Sequence, residues 1–161
     1  AGRAVPAVTA LVRQIVDVEG PVSPARLARH VVRAHGLSRL QPARQSAIMA
    51  AVPADLRRDA EGFVWPAHRD PLRWRGYRTF PGPVRDRPFE DVPLVELANA
   101  LTDLARRAMG IPVEDLLKEA GRVFGSTRLT EPGRARLAAA LHHAVGAELL
   151  SVTGGVVRAV G

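Results

Sequence analysis

Apolar residues recur at helical spacing three times in the first 52 residues. Val8, Leu11, Val12, Ile15 and Val16 share one face of a helix that Gly20-Pro21 stops, because Gly suits the residue after a helix and Pro cannot continue one. Val22 has room for a short strand bridge. Ser23 then reads as an N-cap with Pro24 at the first helical position. The helix from Pro24 to His35 places Leu27, Ala28, Val31 and Val32 on one side, and Gly36 ends it. A third helix runs from Pro42 to Val52, with Ile48, Ala51 and Val52 inward, before Pro53. Leu56-Arg57-Arg58 and Phe63-Val64-Trp65 flank Asp59-Ala60-Glu61-Gly62, the pattern of a β-hairpin.

The pattern changes between residues 67 and 92. Pro71, Pro81, Pro83 and Pro88 break any helix there, while Trp74, Tyr77, Phe80 and Phe89 offer apolar surface. An ordered arm is expected, with Arg73-Trp74-Arg75-Gly76-Tyr77-Arg78 as an extended strand. The helical pattern then restarts. Leu94, Leu97, Ala98, Leu101, Leu104, Ala105 and Ala108 line one helix, Val113–Phe124 forms a second and Pro132–Gly146 a third. Leu149–Val152 and Val156–Val160 flank Thr153-Gly154-Gly155 as a hairpin.

The two halves match at one place in Arg, Gly, Ser/Thr, Arg and Leu. Arg33-Ala34-His35-Gly36-Leu37-Ser38-Arg39-Leu40 aligns without a gap on Arg122-Val123-Phe124-Gly125-Ser126-Thr127-Arg128-Leu129, at an offset of 89. Agreement of this kind points to internal duplication. The expected fold is mainly α with small β-hairpins (α+β): tandem duplicated winged-helix units joined by an extended arm. The boundaries are 1–66 for the first unit, 67–92 for the arm and 93–161 for the second unit. The arm's aromatics suggest that the two units pack into one core.

Charge narrows the partners. The formal net charge is +7, and Lys118 is the one lysine, so nearly all basic residues are Arg. Residues 1–66 carry +4, residues 67–92 carry +2 and residues 93–161 carry +1. The positive excess favours an anionic partner, nucleic acid first, although an Arg-rich, Lys-poor composition also arises from a GC-rich genome. There is no cysteine, which excludes disulfides and thiolate chemistry. That absence fits a cytoplasmic protein. No apolar run reaches membrane-spanning length. The start, Ala1-Gly2-Arg3, lacks an initiator Met and reads as excised from a longer polypeptide, or trimmed.

Several residues carry candidate chemistry, each beside a plainer reading. Arg44, Gln45 and Ser46 stand early on the third helix, where a helix-turn-helix meets base edges; the plainer reading is a solvated face. Arg57 and Arg58 sit at the base of the first hairpin, and Arg73, Arg75 and Arg78 interleave with Trp74 and Tyr77. Arginine with aromatics suits phosphate pairing and base stacking; a strand with Trp74 inward and its arginines outward looks the same. Arg39 and Arg128 occupy equivalent turns. Each can hold a phosphate, or serve structurally by capping the carbonyls at the end of a helix or pairing with an acid, and their recurrence in a nearly neutral second copy favours the structural role. Enzyme chemistry finds no support. His142 and His143 point about 100° apart on a helix, and His30 and His35 miss the i, i+4 spacing of helical metal pairs. Neither a phosphate-binding loop nor a nucleophile elbow is present. No catalytic residue, metal, cofactor or small-molecule substrate is expected.

Val18-Glu19-Gly20-Pro21-Val22, Gly36-Leu37-Ser38-Arg39, Phe63-Val64-Trp65-Pro66, the restart at Asp91-Val92-Pro93 and Gly125-Ser126-Thr127-Arg128 together resemble a domain-of-unknown-function family (DUF3320-like). That family lies near the C-terminal end of large bacterial proteins that also carry a helicase-like ATPase and a restriction-endonuclease-like domain. The resemblance implies a winged-helix accessory module and supplies no catalytic residues. The resulting expectation is a non-catalytic nucleic-acid-binding module, with duplex DNA and the remainder of a larger parent polypeptide as partners. The alternative is a protein–protein interaction or scaffolding module without nucleic-acid contact.

Overall fold

The computed structural model describes residues 4–79 and 87–161. Phe80, Pro81 and Pro83 of the arm lie outside the described residues. The protein is mixed α+β and mostly helical, with six α-helices and small antiparallel sheets among the described residues. Its contacts divide it into two compact units, residues 1–73 and 74–161. The segment read as one arm is therefore shared between the units: 67–73 belong to the first and the rest to the second. Each unit has a hydrophobic cluster of its own among the described residues.

In the first unit, α1 (Ala4–Glu19), α2 (Pro24–Ala34) and α3 (Pro42–Ala50) precede β1 (Arg57–Arg58) and β2 (Val64–Trp65). Ser23 caps α2 by accepting a hydrogen bond from the Arg26 N–H at 3.2 Å, and Pro24 opens the helix. Val12 and Val16 of α1, Leu27, Ala28, Val31 and Val32 of α2, and Ile48 of α3 are buried together. Thr9 of α1 donates to the Ala51 carbonyl at 3.2 Å, and Arg13 grips Asp55 with two bonds of 2.8 and 2.7 Å. Val22 bridges Val64 through both backbone hydrogen bonds, at 3.0 and 2.9 Å. The bridge residue, β2 and β1 thus lie side by side in that order.

Asp59 organises the hairpin turn. Its carboxylate accepts from the Glu61 and Phe63 N–H groups, both at 3.0 Å, and from the Trp65 indole Nε1–H at 2.9 Å. Hydrogen bonds to a charged acceptor contribute about 1.5–3 kcal/mol. Asp59→Ala is expected to lower unfolding free energy by about 2 kcal/mol, read from urea denaturation. A change below about 0.5 kcal/mol, the range of ordinary surface substitutions, would show that the turn holds without this carboxylate.

In the second unit, a single 3₁₀ turn (Phe89–Asp91) leads into α4 (Leu94–Ala108), β3 (Ile111–Pro112), α5 (Val113–Val123), α6 (Glu131–Gly146), β4 (Leu150–Thr153) and β5 (Val156–Ala159). The sheet order is β3-β5-β4, with Ile111 opposite Val157 and Leu150 opposite Ala159. Gly154 and Gly155 take positive φ of 59° and 74°, as a two-residue hairpin turn requires. The helix α4 packs against α5, α6 and β5. Phe124 meets Tyr77 and Phe89 at ring separations of 6.3 and 6.2 Å. In both units the residues between the first two helices pair with the last strand, and that strand pairs with the one before it.

The expected strand over 73–78 does not form. The backbone there is fastened by side chains of α4 instead of by a neighbouring strand. Asn99 Nδ2 donates to the Trp74 and Gly76 carbonyls at 2.9 and 3.0 Å, and the Arg78 N–H donates to Glu96 at 2.7 Å. Periodicity shows that a segment is extended, not what will satisfy its backbone groups.

Candidate nucleic-acid interface

The expected contact residues separate between the two units. Arg44, Gln45 and Ser46 lie on the first half of α3. Gln45 and Ser46 line an open depression together with Leu40, Pro42 and Met49. Arg44 is half-buried and donates to the Arg39 carbonyl at 3.1 Å, which ties the turn before α3 to its first turn. Arg57 and Arg58 are exposed on β1. Arg58 Nη2 donates to the Met49 carbonyl at 2.6 Å, satisfying a backbone acceptor near the end of α3. Arg57 pairs with Asp70 at 3.2 Å, and the Arg73 N–H donates to the Asp70 carbonyl at 3.0 Å. The structure thus gathers Arg57 and Arg73 around one turn, with Arg58 reaching back to α3.

Arg75 and Arg78 belong to the second unit. Arg75 is exposed and donates to the Trp74 carbonyl at 3.1 Å. Arg78 is engaged with Glu96, which has no exposed surface. Arg78 Nε and Nη2 reach the carboxylate at 2.9 and 3.0 Å, and Arg87 adds contacts of 3.1 and 3.3 Å. Burial pushes the Glu96 pKa upward, but the two guanidinium groups outweigh it and hold the carboxyl below its usual range. Nearby, Tyr77 donates to Asp103 at 2.6 Å; that bond and burial raise the phenol's pKa.

Charge separates the units as well. Eleven arginines against six acids leave residues 1–73 at +5, and twelve basic residues against ten acids leave residues 74–161 at +2. Arg39 and Arg128, read from the sequence as structural residues that cap a helix end or pair with an acid, are both exposed. Neither side chain makes a hydrogen bond or ion pair among the described residues. The turns close by backbone bonds instead: Gly36 N to Arg33 O and Gly125 N to Arg122 O, at 2.9 and 3.0 Å.

One cluster escaped the sequence reading. Lys118, Arg122, Arg128 and Arg134 converge on a groove in the second unit. They come from α5, the following turn and α6, and nothing in their linear order marks them as a group.

Residues 2–46 match the family DUF3320, described as a protein of unknown function. The DUF3320 match takes in α1, α2 and the first half of α3, so it contains Arg44, Gln45 and Ser46 and stops before the hairpin. It spans just over a quarter of the chain and supports the resemblance drawn from Gly20-Pro21 and Gly36-Leu37-Ser38-Arg39. No curated protein and no solved structure is significantly similar to the chain. Among the described residues no helix is long and apolar enough to cross a membrane, and no cluster of three acidic or histidine side chains is placed to hold a metal ion.

Proposed function

We propose that the protein is a non-catalytic nucleic-acid-binding module, built as two diverged winged-helix units, that serves a larger bacterial helicase- or nuclease-type protein. The observation that carries this reading is the +5 excess of the first unit, with Arg39, Arg57 and Arg58 exposed and Gln45 and Ser46 on the open side of α3. A recognition helix with a basic hairpin beside it suits duplex DNA: side chains such as Gln45 read base edges while arginines neutralise phosphates. The matching strand order in the two units and the 89-residue offset support the duplication. The accessory role rests on the family resemblance.

Fluorescence anisotropy with a labelled duplex at about 50 and 200 mM salt tests the reading. Four phosphate contacts predict a loss of about 10²-fold in affinity across that range. Arg44→Ala with Arg57→Ala is expected to weaken binding about tenfold at 50 mM, each lost contact costing roughly a factor of a few. Absence of binding at 50 mM would overturn the reading. A second reading, protein docking, draws on Val145, Val152 and Val160 of the second unit, which are 38, 43 and 45% exposed. It predicts association that changes little with salt.

A further inference from the structure

We propose that the second unit carries its own phosphate-binding groove for a nucleic-acid backbone, formed by α5, the turn after it and the start of α6. The groove has a volume of about 290 Å³. Lys118, Arg122, Arg128 and Arg134 line it together with Ser126, Thr127 and Leu129, and no acidic residue shares the lining among the described residues. Four of the unit's twelve basic residues therefore face one small concavity, although the unit as a whole is only +2.

Local structure explains the convergence. Lys118 and Arg122 are four residues apart on α5 and so share a face. Gly125, at φ +80°, turns the chain sharply. The Ser126 N–H closes on the Gly121 carbonyl at 2.8 Å, and Ser126 Oγ donates to the Arg128 carbonyl at 2.8 Å. These bonds hold the backbone around Arg128 and leave its guanidinium without a partner among the described residues. Lys118 likewise has no hydrogen bond or ion pair among the described residues. Arg122 pairs with Glu119, and Arg134 with Glu114 and Glu131, from outside the lining. Glu114 takes one donor on each of Nη1 and Nη2 of Arg134, the Arg122–Glu119 pair is an ordinary exposed one worth about 0–1 kcal/mol, and each guanidinium has five N–H donors. Both arginines retain donors for a phosphate.

The chemistry favours a backbone over a small organic ligand. Ligand pockets are mostly apolar and often larger, about 300–1,000 Å³. Here Leu129 is the only apolar lining residue, and the cations spread from one helix to the next along an open groove. Such a track suits successive phosphates.

The groove rests on the nucleic-acid reading but shares no residue with the first-unit surface, so variants of the two sites fail separately. The test is anisotropy of the whole chain with the labelled duplex and a labelled single strand, comparing wild type with Lys118→Ala/Arg128→Ala. Both side chains are exposed, so unaltered thermal melting is expected. Affinity should fall about tenfold at 50 mM salt, and the slope of log affinity against log salt should shrink by about 2. Arg106→Ala, an exposed charge of the same unit outside the groove, should change neither by as much. An unchanged slope in the double variant, or an equal loss in Arg106→Ala, overturns the groove. Loss of binding in Arg44→Ala/Arg57→Ala alone also overturns it, while loss in the groove variant alone supports it and removes the first-unit interface. If titration with inorganic phosphate shifts the Ser126–Leu129 amide signals but the double variant binds nucleic acid normally, the site is not a backbone contact.

Discussion

Glu96→Ala is expected to lower unfolding free energy by about 3–5 kcal/mol, the cost of breaking a buried ion pair from one side. Glu96 is fully buried at the start of α4, and two arginines from different parts of the chain converge on it. Arg87 is only 15% exposed, so removing the carboxylate takes two charge-assisted contacts from a cation with little water to replace them. The Arg78 N–H loses its acceptor as well. Glu96→Gln keeps the shape and one acceptor and should fall between the variant and wild type. Urea denaturation gives the magnitude. Amide exchange gives the location, because residues 74–79 should lose protection first. The carboxyl's folded pKa is depressed. Its stabilising contribution is therefore full above the unfolded pKa, near 4.3, and is lost as pH falls through the lower folded value. Wild type should lose stability on acidification in that window, and Glu96→Ala should lose less. Equal acid sensitivity in both would show that other carboxylates dominate.

Trp65→Ala is expected to cost about 3–5 kcal/mol through the cavity it leaves. The side chain has no exposed surface, and its indole N–H satisfies Asp59, which also holds the hairpin turn. The substitution removes packing and leaves an acceptor short of one donor. Trp65→Phe keeps one aromatic ring in the site but loses the hydrogen bond and part of the volume; it should cost less than Trp65→Ala, about 1–3 kcal/mol. If Trp65→Phe were as harmful as Trp65→Ala, the hydrogen bond would outweigh the packing.

Much of the local structure was legible because it depends on neighbours in sequence. Ser23-Pro24 marks a helix start by supplying an acceptor for an orphan N–H and a preset φ, and α2 begins there. Thr153-Gly154-Gly155 marks a tight turn because two successive positive φ values favour glycine, and the hairpin is present. The Val22 bridge also followed from a lone apolar residue between two helix signals.

The fate of the arginines was not legible. Arg78 looked like Arg75 in the sequence, yet one is engaged with a buried carboxylate and the other lies at the surface. Arg128 looked like a capping or acid-pairing residue, yet backbone bonds close its turn and its guanidinium stays unpartnered among the described residues. Helix positions, stops and hairpins were determined by the sequence itself, because propensity, capping and turn geometry act over a few residues. Tertiary structure alone decided which charges are neutralised, that Asn99 and Glu96 would fasten residues 74–78, and that residues 118, 122, 128 and 134 would face one groove. Those outcomes depend on which distant side chain arrives within hydrogen-bonding distance, and the packing of the helices sets that.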